Sequence, residues 1–160
     1  MARLLGHRLG APRLIMHVRS IHWLRALRRH WTRIGHGYQR SWHRVLLERH
    51  ATRIAVSQIG TPYVYGAASP HVGFDCSGLV MWAFGRVGIS LPHSSYSQAY
   101  RGLGIPRSHI RRGDLVFEYG DGHVGIYLGH GLVLAAPHTG TVVSRQPISQ
   151  WQISAIRRVG

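Results

Sequence analysis

Apolar positions in this 160-residue chain follow a helical spacing in its first two thirds and an alternating one after that. Leu47, Ala51, Ile54 and Gln58 fall on one line of a helix over 42–59, which Gly60 ends. Leu79, Val80 and Ala83 supply the apolar side of a second helix that starts around Cys76 and ends near Gly88. A short helix starts at Ser94 or Ser95, after Leu91-Pro92. From Leu115 the period becomes two: segments 115–119, 124–128, 132–136, 141–145 and 153–159 alternate or run apolar. Turns at Asp121-Gly122, His130-Gly131 and Thr139-Gly140 separate them, and such short links favour antiparallel pairing. The pattern predicts an α+β domain, with helices first and then an antiparallel sheet of about five strands.

The first 40 residues differ from the rest. Leu14, Val18, Ile21, Leu24, Leu27, Trp31 and Ile34 recur at three- and four-residue steps, with Arg13, Arg19, Arg25, Arg28, Arg29 and Arg33 mostly on other faces. The first 50 residues hold eleven arginines and one acid, Glu48; the other 110 hold nine arginines against four acids. The chain thus divides into a basic amphipathic extension over 1–40 and a domain over 41–160. A helix of this kind suits an anionic membrane surface or an anionic polymer, and equally packs on its own domain with the arginines in water. The apolar runs near the start are too short for the core of a signal peptide, and no stretch is long enough to span a membrane.

Cys76 is the chain's single cysteine, so no internal disulfide forms. It stands in Gly-Phe-Asp-Cys-Ser-Gly-Leu-Val, where a glycine-containing loop runs into a helix. A thiol there meets unpaired backbone N–H groups and the positive end of the helix dipole, both of which favour the thiolate. Asp75 is placed to cap the helix, and Gly66 and Gly73 allow a tight approach. A nucleophile needs a base, and His123 opens an alternating strand directly after Asp121-Gly122, where its ring can enter a cleft. Thirteen histidines are present, but His123, His130 and His138 lie at successive turns without evident convergence, and no helix pair has metal-ligand spacing. No metal, no cofactor, no phosphate-cradling glycine loop and no specific nucleic-acid site is predicted.

Six ordered pieces carry a resemblance: Gly60-Thr-Pro-Tyr-Val-Tyr-Gly66, Gly73-Phe-Asp-Cys-Ser-Gly-Leu-Val80, Leu91-Pro92, Arg112-Gly-Asp-Leu-Val-Phe117, His123-Val-Gly-Ile-Tyr-Leu-Gly129 and Ala136-Pro137. Together they resemble the NlpC-type family of papain-like cysteine peptidases, which cut bacterial cell-wall peptides. The resemblance implies a papain-like fold with Cys76 as nucleophile and His123 as general base. It implies Tyr63 as an oxyanion donor beside the backbone N–H of Cys76, with Asp75 and Ser77 lining the substrate pocket. The implied substrate is a peptidoglycan stem peptide, cut between γ-D-glutamate and a diamino acid. A secreted or wall-associated location follows, with a phage particle as another route to the wall.

One position departs from the family pattern. Relatives carry a polar side chain, just before the Ala-Pro step, that orients the base; here the position is Ala135. Loss of such a group in related triads costs on the order of a few thousandfold or more in turnover. His138 swinging in from the next turn, a backbone carbonyl or water, and a weakened site remain alternatives. Glu118 and Asp121 precede His123 and read as lying on the wrong side of the turn. The competing functions are a wall-binding module of lost activity, and an amidase or acyltransferase using the same thiol. The oligomeric state is not legible.

Overall fold

The computed structural model describes residues 42–160. The basic extension at 1–40 and its predicted stripe lie outside the described residues.

Helix α1 occupies residues 42–56 and gives way to turns up to Gly60. Its buried line is Glu48, Ala51, Thr52 and Ala55, with Leu47 and Ile54 only half-buried, so the packed face is rotated from the one predicted. A buried glutamate in that line is tolerable because it is paired. Arg111 Nη2 donates to its Oε2 at 2.7 Å and the backbone N–H of Gly160 to its Oε1 at 3.2 Å.

A short hairpin of β1 (Ala68–Ser69) and β2 (Gly73–Phe74) precedes α2 (Cys76–Gly85), followed by α3 (Ser95–Gln98) capped by Ser94. Then come β3 (Leu103–Gly104), β4 (Leu115–Glu118), β5 (His123–Gly129), β6 (Leu132–Ala135), β7 (Ser144–Pro147) and β8 (Ile153–Arg158). The sheet has six strands, all antiparallel, in the order β3-β8-β4-β5-β6-β7. The extra strand is β3, two exposed residues at the edge, too short to show any periodicity. The strand predicted over 141–145 lies later, at Ser144–Pro147. Residues 141 and 143 bond instead to the loop before β1, through Tyr63 N–H to Thr141 O (2.9 Å) and Val143 N–H to Thr61 O (2.8 Å).

The two sheet faces do different work. Leu115, Phe117, Val124, Ile126 and Leu134 join Leu79, Val80, Ala83 and Phe84 of α2 and Ala51 and Ala55 of α1 in the main core. On the other face, Val116, Val133, Ala135 and Trp151 form a smaller cluster with Tyr127 and Ile153. Helix α2 thus leans on the middle of the sheet, and its N-terminus comes to the start of β5.

Candidate active site

Asp75 explains how α2 begins. Its Oδ1 accepts the backbone N–H of Gly78 at 2.6 Å and the Ser77 hydroxyl at 3.1 Å, and its Oδ2 accepts the backbone N–H of Gly66 at 2.9 Å. His93 Nε2 lies 3.0 Å from both oxygens. One carboxylate therefore caps α2, fastens the Tyr63 loop and holds a histidine from the segment before α3. Gly78 is required in Cys-Ser-Gly, because a Cβ there would collide with the carbonyl of Ala67 and crowd the ring of His93. Gly73, at φ 137°, lies against Val64 and Pro62 O, which fixes the approach to the helix.

Cys76 is the first residue of α2 and is partly buried. Burial raises its pKa above the usual thiol value, and the Asp75 charge adds to that. The backbone N–H groups of Val124, Ser77 and Cys76 itself work the other way. The shift runs against the thiolate preference expected of a helix end: the donors are present, but desolvation outweighs them. Cys76 and His123 line the same hollow.

His123 opens β5, as expected. Burial lowers its pKa to about 4, helped by the charge of His138. Its ring lies against Trp151, with centroids 5.2 Å apart and planes tilted by 38°. Gly125 makes room, since a Cβ there would come 2.8 Å from the Trp151 ring and 2.5 Å from Val133. Tyr63 is half-buried; burial, then the nearby Cys76, Asp75 and Tyr65 charges, raises its phenol pKa.

These residues line two adjoining hollows of about 460 Å³ each. Tyr63, Cys76 and Gly122 border both. One continues along Asp75, Ser77, His93 and Tyr96, and the other along His123, Glu118, His138, Gln146 and Trp151. All six residues singled out in the sequence (Cys76, His123, Tyr63, His138, Asp75 and Ser77) therefore border one cleft. His138 is exposed at its rim, its Nδ1 3.0 Å from Thr139 O, with no hydrogen bond to His123. His123 and His138 border the same hollow, while His130 lies exposed at the β5–β6 turn.

The sequence reading missed Trp151, which no motif marks, and misplaced Glu118. The β4–β5 register pairs Glu118 directly with His123, so the acid lies in the cleft rather than beyond the turn. Asp121 does point away, accepting the Ser154 hydroxyl at 2.6 Å. Ala135 is fully buried, and its methyl group offers no acceptor. Among the described residues, no group of three His, Cys, Asp or Glu side chains is placed to hold a metal ion, and no helix is long and apolar enough to cross a membrane.

Residues 60–158 match the NlpC/P60 family. Peptidoglycan endopeptidase RipA of Mycobacterium tuberculosis is 48% identical over 110 residues, covering 60% of this chain and 23% of RipA. A probable endopeptidase of Corynebacterium glutamicum is 43% identical over 105 residues, covering 64% of this chain and 50% of the relative. The chain thus spans about a quarter to a half of the length of these relatives. A structure of RipA altered at a single histidine superposes with a TM-score of 0.68 at 38% identity, over 73% of this chain and 64% of that one. The P60 domain of Mycobacterium avium paratuberculosis antigen MAP1272c superposes with a TM-score of 0.68 at 28% identity, over 76% and 98%. RipA has also been solved with a glutamate changed, and that glutamate follows the histidine at the spacing that separates Ala135 from His123 here. The architecture is therefore the papain-like α+β fold expected, and this chain belongs to the NlpC/P60 family.

Proposed function

We propose that the domain is a cysteine peptidase that hydrolyses peptidoglycan stem peptides, with Cys76 as nucleophile, His123 as general base and Tyr63 as oxyanion donor. The observation that carries this reading is that Cys76, His123 and Tyr63 line one hollow, with Cys76 at the first residue of α2 and His123 at the first residue of β5. Burial keeps both thiol and imidazole neutral at rest, so the proton moves during attack rather than before it. His123 takes the thiol proton as the sulfur adds to the scissile carbonyl, and the resulting oxyanion is held by the Cys76 N–H and the Tyr63 hydroxyl. Collapse expels the amine, which receives the proton from His123, and leaves a thioester. Water, deprotonated by His123, then releases the acid and the free thiol.

The bond between γ-D-glutamate and a diamino acid is the substrate implied by the resemblance. Asp75 and Ser77 border the cleft beside the sulfur, where a substrate would contact them, although the carboxylate is already engaged by Gly66, Gly78, Ser77 and His93. His138 borders the cleft at its rim with Nδ1 3.0 Å from Thr139 O, so Nε2 is the ring atom left to meet His123. The proposed organisation is a peptidase domain over 41–160 with residues 1–40 as an anchor to anionic polymer or membrane, on a secreted or wall-associated protein.

A second reading has its own observation. The buried methyl group of Ala135 leaves that flank of His123 without a polar partner, as in a wall-binding module of weakened activity. An amidase or acyltransferase would use the same thiol. One experiment separates these: the protein and its Cys76→Ala variant are incubated with purified peptidoglycan, and new amines and fragments are followed by mass spectrometry. The peptidase reading requires stem-peptide fragments from the parent alone. Sedimentation of both with the wall and release by neither selects the binding module. Wall affinity that persists without residues 1–40, at unchanged salt dependence, excludes that segment as the anchor.

A further inference from the structure

His123 has two flanking positions on its own face of the sheet. Paired residues of antiparallel strands project to the same side, with Cβ atoms roughly 4.5–5.5 Å apart. On β4 the direct partner of His123 is Glu118. On β6, the pairing of Ile126 with Leu134 puts Ala135 opposite Gly125, one step diagonal from His123. The family's usual polar flank on β6 is therefore a methyl group here, and the opposite flank on β4 is a carboxylate.

That carboxylate is unusual for its place. Glu118 is 5% exposed, and none of the described arginines pairs with it. Its Oε2 accepts the backbone N–H of Gln152 at 3.2 Å, while Oε1 has no hydrogen-bond donor among the described residues and keeps some contact with solvent; the residue borders the cleft it shares with His123. The strand on its other side is adapted to it: the β4–β8 register shifts between Phe117 and Glu118, with Ser154 as the extra residue, which brings the Gln152 N–H to Oε2. A carboxylate that is largely buried, with one oxygen unpartnered, gains from a cation that forms beside it. In the peptidase cycle one does form, on His123. Burial raises the Glu118 pKa above the usual carboxylate range, the direction expected for an anion whose partner is absent at rest. His138 is a weaker candidate, because its charge opposes an imidazolium at His123.

We propose that Glu118 is the positioning residue for His123, its free Oε1 accepting the ring N–H turned away from Cys76 and replacing, from β4, the polar side chain absent at Ala135. This rests on the peptidase reading for its role in turnover, but not for its effect on the ring. At rest the two side chains form no hydrogen bond; the bond closes as His123 takes up its proton.

The test is Glu118→Gln in the full chain, a change that keeps shape and an acceptor for Gln152. The His123 ring pKa, followed by NMR, falls in the variant, since a carboxylate favours the imidazolium. With peptidoglycan as substrate, kcat drops by about tenfold or more while KM stays within about twofold. The acid limb of the pH profile that reports Glu118 disappears, and Ala135→Glu placed in the Glu118→Gln background recovers most of the loss. An unchanged ring pKa and unchanged kcat overturn the proposal, as does a full effect from His138→Ala with none from Glu118→Gln. A parent that cleaves nothing, yet whose ring titration shifts in Glu118→Gln, rejects the peptidase reading and supports the positioning.

Discussion

The indole of Trp151 lies across His123 at 5.2 Å and fills the space above the Cα of Gly125, so a residue far down the chain sets the attitude of the imidazole. Gly125→Ala pushes a Cβ to 2.5 Å from Val133, 2.8 Å from Trp151 and 2.9 Å from Leu134 O. Two of these neighbours are a packed side chain and backbone, so the indole must move. The expected result is a destabilisation of about 1–3 kcal/mol by thermal melting. Turnover should fall further than that loss explains. Full activity in a destabilised Gly125→Ala protein would show that the indole does not orient His123.

Acid should weaken the fold through His123. The ring titrates at about 4 when folded, against 6.5 when free. Between those values the unfolded chain binds a proton that the folded chain does not, so stability is intact above pH ~6.5 and declines as pH falls toward ~4. At ~1.4 kcal/mol per unit the decline is on the order of 3 kcal/mol at most. Melting temperatures of the parent and a His123→Gln variant, compared at neutral and acid pH, should converge on acidification.

The thiol should be slow to alkylate near neutrality and speed up only above the ordinary thiol range, because burial raises its pKa. Asp75→Asn removes a charge that adds to this rise, so the Cys76 pKa falls in the variant. The same change weakens the cap on α2 and the tie to Gly66, at a cost of about 1–2 kcal/mol. The two effects run in opposite directions: a pH profile of iodoacetamide alkylation should shift to lower pH while the melting temperature drops.

Glu48 offers a control far from the cleft. Arg111→Ala strips the cation from a carboxylate whose pKa burial already raises, leaving Gly160 N–H as its remaining donor. Breaking a buried pair from one side costs about 3–5 kcal/mol. With Arg111 40% exposed, a value toward the lower end is expected by denaturant unfolding, with kcat unchanged in the folded fraction.

What could be read beforehand was what lies close in sequence. The Asp75 cap, the Leu79–Ala83 packing side, a short helix starting at Ser94 or Ser95 and the alternation from Leu115 to Ala135 each depend on neighbours a few residues apart, and each is present in the structure. The cleft's other walls depend on register. Nothing in the local pattern tells that Glu118 sits beside His123 rather than past a turn, because Tyr119 and Asp121 adopt positive φ and fold the connection back sharply. Nor does it tell that Trp151 crosses Gly125, or that 141–143 bonds to the Tyr63 loop before the strand begins. The thiolate expectation failed for a related reason: donors at a helix end are visible in sequence, whereas the depth of burial around the sulfur is not.

Cys76, Tyr63 and Gly122 border both hollows, so on the peptidase reading proposed above recognition on the two sides of the cut bond is separable. Exchanging His93 or Tyr96 should change which groups are accepted toward one end of an extended ligand, and exchanging Gln146 or Gln150 those toward the other. A library selected on one half of the groove can therefore alter selectivity there while the opposite preference, and the chemistry at the ridge, is inherited unchanged.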